Sequence, residues 1–275
     1  MTFCLGIKTE HGLVGIADTR LTTGTERLTA RKVSIHEYGD RPMFVMTSGL
    51  RSVRDKALTY FDEAISESDH SFDRLYKAVN ALAAQIRRVA KEDEKALKKS
   101  GLRFNLLALV GGQLENDDEH RLYMLYPQGN WVEVSQASPY YIIGESGYGK
   151  SLLDRVLRYD TSLEMALKAG YLAFDATRNS TIDVAFPLDV VLYRRDTLDM
   201  VERRFEEEEM QELSSWWQQS VTEQLDRAPT AWMTQIFGEL GPAASIFTAR
   251  TGQDQDGQAA IEQAQAGQTE QDQVE

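Results

Sequence analysis

MTFCLGIKTEHGLVGIADTR (1–20) is the stretch on which the fold turns. FCLGIK (3–8) and LVGIADT (13–19) are apolar, β-branched runs joined by the polar turn TEHG (9–12), which predicts a β-hairpin. Apolar residues fall on both faces of each strand, as in a sheet covered on one side and packed on the other. Only Met1 and Thr2 precede the first strand, so removal of Met1 would leave Thr2 with a free α-amine beside its own hydroxyl. An α-amine titrates near ~8, below a lysine. It can therefore take the hydroxyl proton and leave the oxygen a nucleophile. A Met-Thr start also opens many ordinary chains, so the feature needs company before it means chemistry.

Working outward, KVSIHEY (32–38) and MFVMTSG (43–49) repeat the hairpin pattern across GDRP. SVRDKALTYFDEAI (52–65) and the long stretch 72–99 carry apolar residues at helical spacing, with Leu75, Val79, Leu82 and Ile86 on one stripe. Strands are predicted again at 104–114, 121–129, 131–135 and 140–146, helices at 151–159 and 162–177, and closing strands at 181–186 and 189–196. Strands come in clusters between helix pairs, which disfavours a doubly wound parallel sheet. The order fits an α+β chain in which two stacked sheets carry helix pairs on both outer faces. Residues 1–200 are taken as this domain. Residues 201–250, with SSWWQQSVTEQL and TAWMTQIFGEL, are read as a helical extension whose Trp216, Trp217, Trp232 and Phe237 pack either on their own chain or on another subunit. The Gln- and acid-rich stretch 251–275 has one Ile and one Val as its only large apolar side chains and reads as a disordered tail.

The balance of 43 acidic to 30 basic residues, a formal charge of −13, argues against nucleic acid and anionic membrane as partners. The single cysteine, Cys4, excludes an internal disulfide and fits a reducing compartment. With no signal-peptide pattern at the start and no membrane-length apolar run, a cytoplasmic protein is expected.

Chemistry-bearing positions gather near the first strands. The hairpin makes Asp18 a neighbour of the N-terminus, where it either orients an ammonium group or pairs with Arg20. Lys32, opening the third strand, either lowers the pKa of a nearby hydroxyl or sits as a solvated charge. Gly49 precedes the first long helix, where backbone N–H groups can form an oxyanion hole, or where the chain simply turns. GESGYGK (144–150) superficially suggests a phosphate-binding loop but is set aside as lacking the G-x-x-x-x-G-K-S/T spacing. His11, His36, His70 and His120 show no metal-ligand spacing, and no metal or cofactor is expected. Cys4 is expected to be packed rather than reactive.

Taken together, Thr2, Asp18-x-Arg20, Lys32, the Gly49 turn, LLALVGG (106–112), IIGES (142–146) and FDATRNSTIDVA (174–185) resemble proteasome-type β subunits in order and spacing. YPQGNW (126–131), GESGYGKSLLDRVLRYDTSLE (144–164) and DVVLYRRD (189–196) look like blocks of the bacterial, proteasome-like Anbu family. The resemblance spans residues 1 to about 200. It implies the four-layer αββα sandwich of N-terminal-nucleophile hydrolases and a threonine-type peptidase or amidohydrolase built of identical subunits, in a ring or an open lock-washer.

Carried over by position, the resemblance makes Thr2 the nucleophile and its α-amine the proton acceptor. Asp18 and Lys32 set the charge beside it, with the Gly49 N–H in the oxyanion hole. Leu21, Thr22, Ala30, Thr47 and Arg51 fall where substrate binds, Thr22 offering its backbone to an added peptide strand. Proteasomes complete the site with a glycine-serine step and a D-x-x-S pair. Here Gly144 is followed by Glu145, with Ser146 one place later. Asp175 aligns, but Arg178 stands where the second serine would be, and Ser180 follows two places on. Ser146 and Asp175 are accordingly carried as site residues, and Glu145, Arg178 and Ser180 as modifiers, with a Glu145–Arg178 pair expected. The displaced serines also suit a non-protease amide hydrolase or acyl transferase, and a non-catalytic ring scaffold is the remaining alternative.

Overall fold

The computed structural model describes residues 2–23, 26–38, 41–67, 72–195 and 197–239. Met1, His70 and the tail 251–275 lie outside them. The chain divides into two compact units with the boundary at Gln218–Gln219.

In the first unit, β1 (Phe3–Thr9) and β2 (Gly12–Asp18) form the expected hairpin and are buried along their whole length. Alternation explains why. Leu5 and Ile7 of β1, with Val14 and Ile16 of β2, face one apolar layer, while Cys4, Leu13 and Ala17 face another. A strand between two apolar layers needs hydrophobic residues at every position.

Two five-stranded antiparallel sheets result. One has the order β10 (Tyr140–Gly144), β1, β2, β11 (Leu188–Arg194), β12 (Met200–Phe205). The other runs β5 (Val33–Tyr38), β6 (Arg41–Gly49), β7 (Leu106–Gly112), β8 (Arg121–Leu125), β9 (Trp131–Glu133). Three apolar clusters mark the interfaces of four layers. Cys4, Val33, Phe44, Met46, Leu109 and Val191 lie between the sheets. Val45, Val110 and Leu125 pack under α1 (Arg51–Glu67) and α2 (Leu75–Lys99). Leu5, Ile16 and Val190 pack under α3 (Lys150–Val156) and α4 (Leu163–Ser180). This is the αββα sandwich. The α2 stripe Leu75, Val79, Leu82 and Ile86 is buried as its spacing predicts.

Several local expectations are corrected. A short hairpin, β3 (Arg20–Thr23) and β4 (Glu26–Thr29), follows β2, where polar sequence gave no strand signal. TIDVAF (181–186) is not a strand. Val184 and Phe186 instead plug the layer over α4, the Phe186 ring lying edge-on to Phe174 at 5.1 Å. The first sheet runs past residue 200, because β12 pairs with β11 along its length. Helix α5 (Glu207–Asp226) starts in the first unit, where Met210, Leu213 and Trp217 pack on the α4 layer. In the second unit α6 (Ala231–Glu239) exposes Trp232 and Phe237. No helix among the described residues is long and apolar enough to cross a membrane.

Candidate active site

Thr2 sits one residue ahead of β1, at the point where sheet pairing with β10 begins. Its carbonyl accepts the Glu145 N–H at 2.7 Å, one step beyond the Phe3–Gly144 pair. Gly144 has φ +93°, and a Cβ there would overlap the Thr2 carbonyl, so only glycine lets the strand approach. Phe3 is fully buried against Phe174 of α4, ring centroids 5.9 Å apart. Burial of a phenylalanine stabilises by roughly 1.5–3 kcal/mol, which anchors the segment carrying Thr2.

Asp18 ends β2 directly beneath this point and is wholly buried. One carboxylate oxygen accepts the Phe3 N–H at 2.8 Å and the Lys32 ammonium at 2.6 Å; the other accepts the Arg20 N–H at 3.1 Å. Lys32 also donates to the Arg20 carbonyl at 2.7 Å and is itself buried. The Arg20 side chain is not the partner of Asp18, because its guanidinium reaches the Ile182 carbonyl at 2.8 Å. Burial pushes the Asp18 carboxyl above the ordinary carboxylate range, and the Lys32 charge and these hydrogen bonds oppose it. A carboxylate and an ammonium therefore lie one residue from Thr2, held by main-chain groups.

The candidate binding residues flank this pair. The Ala30 N–H donates to the Thr19 carbonyl at 2.7 Å, and the Thr47 N–H to the Lys32 carbonyl at 3.0 Å. The Thr47 hydroxyl is buried without a partner, and its carbonyl lies 3.7 Å from the buried Cys4 Sγ. That contact brings the start of β1 against the end of β6. Burial raises the Cys4 thiol far above its ordinary pKa, which suits packing rather than reaction. Leu21 is half-buried, and Thr22 pairs through β3 with Arg27. Gly49 ends β6 at φ +145°, where a side chain would overlap the Asn105 carbonyl, and exposed Arg51 opens α1.

The remaining candidates follow β10 or sit on α4. Ser146 is exposed in the loop before α3. Asp175 is buried, but its Oδ1 accepts from Arg178 and from the Ser214 hydroxyl, both at 2.9 Å, and its Oδ2 from Asn179 at 3.2 Å. Ser214 is also 2.6 Å from the Tyr171 hydroxyl, and Arg178 reaches Glu207 at 3.0 Å. Ser180 bonds back to the Ala176 carbonyl at 2.8 Å in the last turn of α4. The expected Glu145–Arg178 pair is replaced by these contacts, and a Glu145 oxygen instead accepts the Gly147 N–H at 3.3 Å. Ser214, Tyr171 and Glu207 were not legible, because nothing in their spacing ties α5 to α4.

With Ser151 included, GESGYGKS (144–151) does meet the G-x-x-x-x-G-K-S spacing of a phosphate-binding loop. The geometry answers the match. The Glu145 amide is taken by Thr2, the Gly147 amide faces the Glu145 carboxylate, and Lys150 binds Tyr140 at 3.1 Å and Asp154 at 3.2 Å.

The family profile described as "Proteasome subunit" matches residues 2–186. The chain belongs to the proteasome subunit family. Solved structures place this proteasome-type chain beside Anbu proteins. It is 29% identical to an Anbu (Gly-1) mutant from Hyphomicrobium sp. strain MC1, covering 82% of this chain and 99% of that one at a TM-score of 0.75. For Anbu (ancestral beta-subunit) from Yersinia bercovieri the values are 28%, 82%, 97% and 0.76. For a helical assembly of the Anbu complex from Pseudomonas aeruginosa they are 29%, 82%, 97% and 0.77. No curated protein matches the chain significantly.

Proposed function

We propose that this chain is a proteasome-like threonine hydrolase that cleaves peptide or amide bonds with Thr2 after Met1 is removed. The observation that carries the reading is the Asp18–Lys32 pair bonded to the Phe3 amide, one residue from the nucleophile. The Thr2 hydroxyl oxygen attacks the amide carbon and its proton passes to the α-amine. The Gly49 N–H stabilises the oxyanion, and the Lys32 charge favours the developing negative oxygen. The leaving amine takes the proton from the α-ammonium, and water then hydrolyses the Thr2 ester. Leu21, Thr22, Ala30, Thr47 and Arg51 line the substrate side, and Ser146 follows Glu145, whose amide holds the Thr2 carbonyl.

The chain acts in the cytoplasm as a multimer of identical subunits, a reading supported by its likeness to an Anbu protein solved as a helical assembly. The diversion of Asp175 to Arg178 and Ser214 favours a second reading, amide hydrolysis or acyl transfer on a small substrate by the same nucleophile.

Intact mass before and after a threonine-directed electrophile, with Thr2→Ala as control, tests the proposal. Loss of Met1 and one adduct that the control lacks is the expected result. Retained Met1, or a bare Thr2 that never reacts, would leave the chain a ring scaffold.

A further inference from the structure

We propose that Ser34, His36 and Asp62 form a second, serine-type acyl-transfer site, acting on small esters and independent of Thr2. Ser34 and His36 are two residues apart on β5 and so share a face. Val33 and Ile35 point into the layer between the sheets, which turns Ser34 and His36 toward α1. There the Ser34 Oγ lies 2.7 Å from the His36 Nε2, and the His36 Nδ1 lies 2.9 Å from an Asp62 carboxylate oxygen. The imidazole is held edge-on against the Phe61 ring, centroids 5.3 Å apart.

This is the order of nucleophile, base and orienting carboxylate. The tautomer follows from the partners. An ionised carboxylate only accepts, so the Nδ1 carries the proton and the Nε2 lone pair takes the hydrogen bond from the Ser34 hydroxyl. Burial holds the His36 imidazole below its ordinary range, against the opposing pull of Asp62, and leaves it neutral near pH 7.

Two further observations separate this set from a chance polar contact. The face is otherwise apolar: the sheet partners of Ser34 and His36 are Val45 and Met43, packed with Val53, Ala57 and Phe61. Aliphatic side chains at 34 and 36 would pack there without the cost of burying polar groups. In addition, β5 is the outermost strand of its sheet. The Thr47-to-Lys32 hydrogen bond makes residues 32, 34 and 36 the ones bonded to β6, so the Ile35 N–H points to the open edge. The amide following a nucleophilic serine is a known donor to the oxyanion of acyl transfer. Asp62 is 61% exposed, so the site opens to solvent at the carboxylate end.

In the reaction the Ser34 Oγ bonds to the acyl carbon as its proton moves to the His36 Nε2. The ester alkoxide leaves with that proton. Water, deprotonated by His36, then cleaves acyl-Ser34 to the free acid and restores the hydroxyl.

The test uses the full chain carrying Thr2→Ala, treated with an alkyl fluorophosphonate and mapped by peptide mass. Attack by Ser34 forms a Ser–O–P bond and expels fluoride. The expected result is a phosphonate on the Ser34 peptide that is absent in Ser34→Ala. It should form about 100-fold more slowly in His36→Gln. Asp62→Asn, at an exposed position that leaves the fold intact, slows it as well by permitting the wrong tautomer. An unmodified Ser34 in the Thr2→Ala protein, or labelling that proceeds at the same rate in Asp62→Asn, would overturn the proposal.

Discussion

Replacing Lys32 with methionine keeps most of the side-chain volume and removes the ammonium that bonds Asp18 and the Arg20 carbonyl. Asp18 is then a fully buried carboxylate that retains the Phe3 and Arg20 amides but has lost its cation. Breaking a buried pair in this way costs ~3–5 kcal/mol, and the two remaining amide bonds put the expected loss near the lower figure. Urea unfolding at pH 7, followed by far-UV circular dichroism, should read it as a lower midpoint at unchanged slope. The loss must also depend on pH with a definite sign. Burial already raises the Asp18 carboxyl, and losing Lys32, which opposes that shift, raises it further. A carboxyl whose folded pKa lies above its unfolded value of about 3.9 favours the fold below that value. That contribution disappears as pH climbs through the folded pKa. The deficit of Lys32→Met relative to the unmodified protein should thus be largest near pH 7 and shrink toward pH 4. Acylation of Thr2 should slow by about 100-fold or more, if Lys32 acts on the proton transfer as proposed. A loss below about 1 kcal/mol, the size of an exposed pair, or one that ignores pH, would refute the reasoning.

Gly144→Ala should cost ~1–3 kcal/mol and abolish adduct formation at Thr2, because its φ of +93° and the Thr2 carbonyl leave no room for a methyl group. Thermal melts and intact mass check this, with Gly147→Ala, whose Cβ meets only the flexible end of Glu145, as the tolerant control. Ser214→Ala removes the hydroxyl shared by Asp175 and Tyr171 and should cost ~1–3 kcal/mol, visible as faster proteolysis at the start of α5. His120 is buried, its Nε2 2.6 Å from the Thr9 carbonyl and its Nδ1 without a partner, and burial lowers its pKa. A histidine depressed in the fold stabilises above its unfolded value of about 6.5 and loses that contribution as pH falls through the folded value. Urea midpoints should therefore drop as pH falls below 6.5, and His120→Gln should flatten part of the decline, to which His36, also lowered by burial, contributes with the same sign.

How much of this was legible depended on whether burial or partnership set the pattern. β1 and β2 were plain because each lies between two apolar layers, and α2 because one face is buried. β3, β4 and β12 were hidden: RLTT, ERLT and MVERRF carry no apolar alternation strong enough to betray a strand. TIDVAF misled in the opposite direction, since Val184 and Phe186 are apolar as plugs rather than as strand residues. In the site, Asp18 and Lys32 stand out from the hairpin and strand order, and the resemblance gives them their roles. The structure joins them, but their bonds to the Phe3 and Arg20 backbones follow from a register that no spacing encodes. The phosphate-loop spacing at 144–151 makes the same point in reverse, because the residues are present and the amides are already spent.

The two buried carboxylates among the candidate site residues, Asp18 and Asp175, are secured in different ways. Asp18 and Lys32 are held by main chain: the Phe3 and Arg20 amides, the Arg20 carbonyl, and the Thr47 amide on the Lys32 carbonyl. Those bonds exist wherever the sheets form, so the charge pair is a consequence of the fold itself. Asp175 is held by side chains alone, those of Arg178, Asn179 and Ser214, and two of these join it to α4 and one to α5. A serine at 178 would offer Asp175 a short neutral donor; arginine offers a charge long enough to reach Glu207 as well. With arginine at 178, the Asp175 carboxylate is part of a side-chain set that joins α4 to α5. The proposed nucleophile then relies on Asp18, Lys32 and the intrinsic basicity of its own amine, which is why small, activated acyl groups are the substrates this site should accept first.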